Sequence, residues 1–474
     1  MSAAVIVSKE ALVSRRNSKV IALYLSVVFV MLAAIAVGVN RTNNFEAERA
    51  AAAQRDRDIW NDQGPRNAHK AAHFARYAFK PIPTLSSFDP GSIDYAGQAV
   101  WLVAHVQNPA EFRYAEGQGD LARFVTLSPA WVMQYIVPLV LILLLFGAYA
   151  GEREDGTLRQ AMTHGAAPGV LFRGKLASAS LSLLSLLLPI SLFVLVAVFV
   201  FDKGASQSDL SLRLVGLFFT YGVYFAIYAL LAIGVSALCS SRRTAAICLF
   251  VMWCMMTVLA PRFAADVAVT ATPHPNGVDA LKTIQDIRFG YMNNPEAQEQ
   301  RKAEFLERYG VTKVEDAPVD FRSDFLLATE EYGNPLFDEY YAKIADRYHA
   351  QERSMQLLSV FSPTIPTINL SSGLAGADRY HHADFIAGAE ENRRVTIRQL
   401  NEDLLYKGGK NAILYESDIN LWRTIHDYPA TMPSLGEFFP QYLKMFGILL
   451  LWAGAAFLFA RWAAYRACNL EAVK

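Results

Sequence analysis

Cysteine is scarce: the chain of 474 residues has four, Cys239, Cys248, Cys254 and Cys468. All lie in or beside long apolar runs, and neither of the two long polar segments holds one. A secreted disulfide scaffold is thereby excluded, and those segments must fold on packing alone. An excess of charge of one sign is also missing, with 44 Lys and Arg against 44 Asp and Glu. Nothing in that balance supports a partnership with nucleic acid, and none is expected. Internal repeats and low-complexity tracts do not stand out. A complete nucleotide-binding loop is lacking too. Gly169-Val170-Leu171-Phe172-Arg173-Gly174-Lys175 fills the first seven places of a P-loop, but Leu176 stands where a Ser or Thr hydroxyl would hold magnesium. The lysine opens an apolar run instead. The chain is therefore expected to bind neither ATP nor another cofactor, and any energy must come from another subunit. No nucleophile, base and orienting residue share a local signature, so an enzyme has no positive support.

What the chain has is apolar length: 53% of its residues are hydrophobic. Six runs carry few or no charges and are long enough for a hydrocarbon layer of roughly 30 Å, which takes about 20 helical residues. They are Val20–Val39, Ala130–Ala150, Leu176–Phe201, Leu214–Leu238, Thr244–Pro261 and Tyr442–Trp462. The fifth is the shortest, and Pro261-Arg262 is expected to close it. Pro138 and Pro189 sit inside spans, where they are expected to kink helices. The first run is read as a span rather than a cleaved signal, because its length of about 20 exceeds the usual 7–15 of a signal core.

Basic residues orient the spans. Lys9, Arg15, Arg16 and Lys19 precede the first; Arg153, Arg159, Arg173 and Lys175 separate the second from the third. Arg242 and Arg243 lie between the fourth and fifth, and Arg461 and Arg466 at the end of the sixth. All fall on one side, expected to be the cytoplasm of a bacterial inner membrane. On that side lie a lead-in segment 1–19, the linker 151–175 and a tail 463–474. Two polar segments, 40–129 and 262–439, are expected in the periplasm. The fold class is thus an all-α membrane protein of six helices, with a mainly helical domain between spans five and six and a smaller one between spans one and two.

In the larger segment, Phe337, Tyr341, Ile344, Tyr348, Gln351, Met355 and Leu358 alternate spacings of four and three, an apolar helical stripe with one polar interruption. A second helix is expected from near His382 to Leu405, with Phe385, Ala389, Leu400 and Leu404 to bury. The two are read as packed helices of one globular domain. In the smaller segment, Phe45–Arg57 is expected to continue the first span as a helix, while Trp101-Leu102-Val103-Ala104 fits either a strand or an interfacial element.

Three sets of residues are candidates for function. The first is the charged stretch wedged between spans two and three: Glu152, Arg153, Glu154, Asp155, Gly156, Thr157 and Leu158. A compact acidic and basic turn at the end of a membrane helix is something a soluble motor can push on, and Gly156 permits a tight turn. The second is Tyr221, Tyr224 and Tyr228, which share one face of span four at helical spacing. They either line a pathway for an amphipathic substrate or fill the bundle with their hydroxyls bonded to neighbours. The third is His381-His382-Ala383-Asp384. Adjacent residues of a helix point about 100° apart, which suits one ion poorly. The reading taken is a polar helix start capped by Asp378, with no metal.

The whole pattern resembles the membrane subunits of ABC-2-type transporters. Val5-Ile6-Val7-Ser8-Lys9-Glu10-Ala11-Leu12 looks like their amphipathic lead-in, Glu152–Leu158 resembles the E-x-E-x-G-T-L of their coupling turn, and Phe172-Arg173-Gly174-Lys175-Leu176 resembles their approach to span three. The resemblance implies ATP-driven translocation in which an ABC ATPase subunit, in two copies, holds ATP and magnesium and docks on the coupling turn. It also implies a second permease subunit, identical or homologous. A narrower likeness covers Ser362-Pro363, Leu370–Asp378, His381-His382, Phe385 and Arg393–Asn401. These are similar to a bacterial subgroup with a domain of unknown function, whose relatives are tied to metal, siderophore or cofactor handling. It implies an alternative, in which ATPase strokes act on a periplasmic partner protein without solute flux.

Overall fold

A computed structural model describes every residue except Met1, Ala75, 118–125, 202–206, Ala430 and Lys474; the side chains of 186, 188–190, 192–201, 472 and 473 are likewise outside the description, Pro189 among them. The protein is an all-α membrane protein. Among the described residues, five helical stretches are long and apolar enough to cross a membrane: Ser18–Asn61, Pro129–Glu154, Gln207–Leu238, Arg242–Ala271 and Leu435–Glu471. The remaining expected span lies in helix Pro168–Phe201, many of whose later side chains are outside the description.

The first long helix has 44 residues, about 66 Å at 1.5 Å each. It outlasts any hydrocarbon layer because its sequence turns from apolar to Ala-rich and charged without a breaker, so the helix continues into the polar domain. Before it, helix Ala3–Arg16 lies against the start of Pro168–Phe201, with Ile6 buried. Gly174 permits this approach: a Cβ there would stand 2.8 Å from Ile6 Cβ and Cδ1.

Spans two and five share a device that sequence reading did not anticipate. Each contains a π-helical turn, Val132–Ile136 and Cys254–Leu259, followed within two residues by Pro138 or Pro261. A proline has no N–H for the carbonyl one turn back and crowds it; a wider turn relieves the crowding. Pro261 was expected to end the fifth span, yet the helix continues to Ala271 for this reason. Carbonyls of both turns take donors from outside their own helix, as groups opened by a proline must in a dry environment. Gln134 O accepts from Tyr224 Oη at 2.8 Å and Tyr135 O from Trp253 Nε1 at 3.1 Å. Met256 O accepts the hydroxyl of Ser362.

The two polar segments form a common core rather than separate units. Trp60, at the end of the first long helix, packs with Ile397, Leu400, Leu404 and Trp422 of the second segment. Its indole donates to Trp422 O at 3.0 Å, and the Trp422 indole donates to Gly64 O at 3.1 Å. Helix Ala68–Phe74 joins this core. Strands β1 (Arg76–Phe79) and β2 (Ala99–Leu102) pair antiparallel, with Tyr77 opposite Trp101, so the undecided Trp101 segment is a strand. The stripe from Phe337 lies on helix Phe321–Leu358, where Phe337 alone of its members is fully buried. The second helix is Arg379–Gly408, and Asp378 caps it by accepting from His381 N at 3.1 Å. Arg393 ties the two together, donating to Glu330 at 2.9 Å, to Asn334 at 2.7 Å and to Glu390 of its own helix at 2.8 Å.

Between these helices the chain turns at Ser359–Phe361 and returns as helix Thr364–Leu374, which packs against both Gln207–Leu238 and Leu435–Val473. The polar domain therefore has a wedge driven into the bundle of spans. Trp452 Nε1 holds the tip by donating to Ser359 O at 3.0 Å.

Candidate functional site

The bend after span two is built as a clamp with one open face. Helix Ala150–Glu154 follows the span, Gly156 turns the chain with φ of 74°, and helix Thr157–Thr163 leads away. Only glycine takes that left-handed conformation without strain. At the inner end of the span, Ser236 Oγ accepts from Tyr149 N at 3.0 Å and Ala150 N at 3.1 Å while donating to Phe146 O at 2.7 Å. One hydroxyl thus fastens span two to span four where the helix is interrupted.

The seven candidate residues of the bend divide by direction. Glu152 faces inward and accepts from Lys9 Nζ at 2.6 Å and Lys175 Nζ at 2.7 Å, joining the lead-in helix and the start of span three to the bend. Lys175 is buried and takes a second carboxylate, Glu10, at 2.7 Å. Arg153 also faces inward. It donates to Ala237 O at 3.0 Å and to Cys239 O, satisfying carbonyls left open at the end of Gln207–Leu238, and pairs with Glu471 at 3.1 Å. Thr157 Oγ1 donates to Glu152 O at 3.2 Å, and Leu158 is fully buried, seating its short helix on Leu435–Val473. Glu154, Asp155 and Gly156 face solvent, together with Arg159, Gln160, Thr163 and His164. Glu154 accepts from Arg242 N at 3.0 Å, and the Arg242 guanidinium donates to Asp155 at 2.9 Å, so this outer edge is braced from the turn between spans four and five.

Sequence gave no way to divide these seven residues, because the partners come from four distant segments. The arrangement can accept a push on its exposed face and distribute it to spans two, three, four and six.

The tyrosines of span four are buried, with their hydroxyls bonded inside the bundle. Tyr221, Tyr224 and Tyr228 are buried to 2% exposure or less. Tyr221 accepts from Gln134 Nε2 at 3.1 Å and shares a 2.8 Å bond with Ser371, while Tyr224 and Tyr228 share Thr364 at 3.0 and 3.3 Å. Tyr228 also meets Thr257 at 2.6 Å. Their hydroxyls hold the wedge Thr364–Leu374 in the bundle. At its far end Ser371 donates to Asp89 at 2.5 Å, a fully buried carboxyl whose pKa burial pushes up.

His381 and His382 do not converge. His381 Nδ1 lies 2.7 Å from Asp378, and its Nε2 is 3.5 Å from Arg213, a cation where an ion would have to sit. His382 points elsewhere, and burial together with Lys80 and Arg113 holds it down to about 3. A different trio comes together, His69, His73 and His105. Burial first, and then the neighbouring His105, keep His69 uncharged, down to about 4. Two of this trio were legible: His69 and His73 lie four apart, one face of a helix. The third member arrives through the strand pair and could not be read from spacing.

A family described as ABC-2 family transporter protein matches residues 4–463. No curated protein matches it.

Proposed function

The chain belongs to the ABC-2 family of transporter proteins, a multi-pass membrane permease, and on that footing we propose how it is driven. A separate ABC ATPase, present in two copies and carrying ATP and magnesium, docks on the exposed face of the bend at Glu154, Asp155, Arg159 and Gln160. The side of the membrane bearing the bend is the cytoplasm of a bacterial inner membrane, both termini lie there, and the polar domain faces the periplasm. A second permease subunit, identical or homologous, completes the pathway. The chain itself has no catalytic role.

The observation that carries this reading is the two-sidedness of the bend. A load-transmitting contact needs a free surface and a rigid mounting, and residues two apart supply them. Force on helix Thr157–Thr163 passes through buried Leu158 to the last helix, through Arg153 to spans four and six, and through Glu152 to the lead-in helix and span three. Two discrete arrangements of these packed elements, biased by the nucleotide state of the ATPase, are all that coupling requires. The test is the double variant Glu154→Arg/Asp155→Arg in the assembled complex. Substrate-stimulated ATP hydrolysis is expected to fall at least about tenfold, equivalent to roughly 1.4 kcal/mol of coupling, with membrane insertion unchanged. Undiminished stimulation would speak against docking here.

A second reading has its own support. The wedge Thr364–Leu374 and the 44-residue first helix connect the bundle directly to the polar domain, so the same strokes would reshape that domain and act on a periplasmic partner. Vesicles reconstituted with both subunits separate the two: ATP-dependent solute flux supports transport, and partner release without flux supports mechanical transmission.

A further inference from the structure

The polar domain gathers three imidazoles that the coupling argument does not use. His69 and His73 stand one turn apart on helix Ala68–Phe74, and His105 follows β2 in a left-handed conformation, φ 65°. Nε2 of His73 is 3.0 Å from Nε2 of His69, and Nε2 of His105 is 3.4 Å from that same atom. One ligand nitrogen from each of the three lies within 4.8 Å of the others. Nitrogens bound about 2.0–2.1 Å from a tetrahedral ion stand roughly 3.3–3.4 Å apart, so two of the three separations are close to that spacing.

The backs of two rings are held. His69 Nδ1 lies 3.0 Å from Asn401 Oδ1, and His105 Nδ1 lies 3.0 Å from Glu330 Oε1. Glu330 is itself fixed by Arg393 at 2.9 Å and by the His105 backbone N–H at 2.6 Å. Asn401 Oδ1 is an acceptor, which suits a proton on His69 Nδ1 and turns the His69 Nε2 lone pair inward. Three ring nitrogens converging on one point suit a shared cation, and outer-sphere carboxylate and amide groups behind ligating histidines are the usual way such rings are aimed. His73 is exposed, leaving a way in and room for a water as fourth ligand.

We propose that His69, His73 and His105 bind one divalent transition ion of borderline softness, with the chemistry of Zn2+ at an open three-nitrogen site. The ion ties helix Ala68–Phe74 to the end of β2 and, through Asn401 and Glu330, to the two long helices of the second segment.

The test uses the full chain, purified in detergent without a polyhistidine tag, stripped with a chelator and dialysed against ZnCl2. One zinc per chain is expected, with a rise in Tm, and Co2+ in its place should give the intense visible absorption of a tetrahedral site. His73→Ala, at an exposed position, should lose the ion and the Tm rise, while His426→Ala, also exposed, keeps both. Asn401→Ala should weaken binding about 10–100-fold without abolishing it, the effect expected of a positioning residue. Failure of the wild type to take up a stoichiometric ion, or equal uptake by His73→Ala, would overturn the assignment.

Discussion

Lys175 Nζ lies 2.7 Å from Glu152 Oε1, across 23 residues of chain, and this pair fixes the direction of the bend. Glu154, two residues on, is held to Arg242 at the outer edge. Glu152→Gln should therefore behave unlike any change at 154. It weakens the cross-link of lead-in helix, bend and span three, at a cost of about 1–3 kcal/mol, because Lys175 is buried. Lower Tm and faster proteolytic release of residues 1–16 in detergent would show it.

Ser236 is the single hydroxyl fastening two backbone N–H groups of the interrupted span. Ser236→Ala leaves both without that acceptor, about 1–3 kcal/mol for each that stays dry. The outer face remains intact, so the ATPase should still co-purify while its stimulation falls. Loss of co-purification would instead place Ser236 in folding rather than in transmission.

Tyr224→Phe removes the donor that replaces the missing Pro138 N–H at Gln134 O. A loss of about 0.6–2 kcal/mol is expected, in the range of polar contacts between membrane helices. Tyr228→Phe leaves Gln134 O satisfied, and a smaller effect on thermal unfolding is expected.

Spans one, two, four and six were legible because uninterrupted apolar runs have few other solutions, and Asp378 announced a helix start by its own chemistry. That the helix of span five runs on past Pro261 was not. The rule that proline breaks a helix holds for an α-helical register, and the π turn Cys254–Leu259 changes the register just ahead of Pro261. The joining of the two polar segments was also hidden, since Trp60 and Trp422 are 362 residues apart and neither stretch alone shows which face the other will cover. For the site, the charged turn was legible as a unit; which charges face inward depends on Lys9, Lys175, Cys239 and Glu471, and spacing cannot supply that.

Lys80 is buried, its ammonium has no hydrogen-bond partner among the described residues, and burial pushes it down to about 8. A folded pKa below the unfolded value means the unfolded chain holds the proton more tightly. Stability should therefore rise as pH increases from about 8 towards 10.5. Lys80→Met should raise stability at pH 7 by up to about 3 kcal/mol, at roughly 1.4 kcal/mol per pKa unit, and flatten that alkaline rise. His382 acts on the acid side, its pKa lowered from 6.5 to about 3, so stability falls as pH drops through that window. Thermal melts of the wild type, Lys80→Met and His382→Gln across both windows, from about pH 3 to about pH 10.5, separate the two groups.

The most direct measurement places a photo-activated cross-linking residue at Gln160, on the exposed face of the bend, and at Tyr406, 68% exposed in the polar domain. In membranes holding the assembled complex, an adduct to the ATPase is expected from position 160 and none from position 406. An ATPase adduct from 406, with none from 160, would contradict the account.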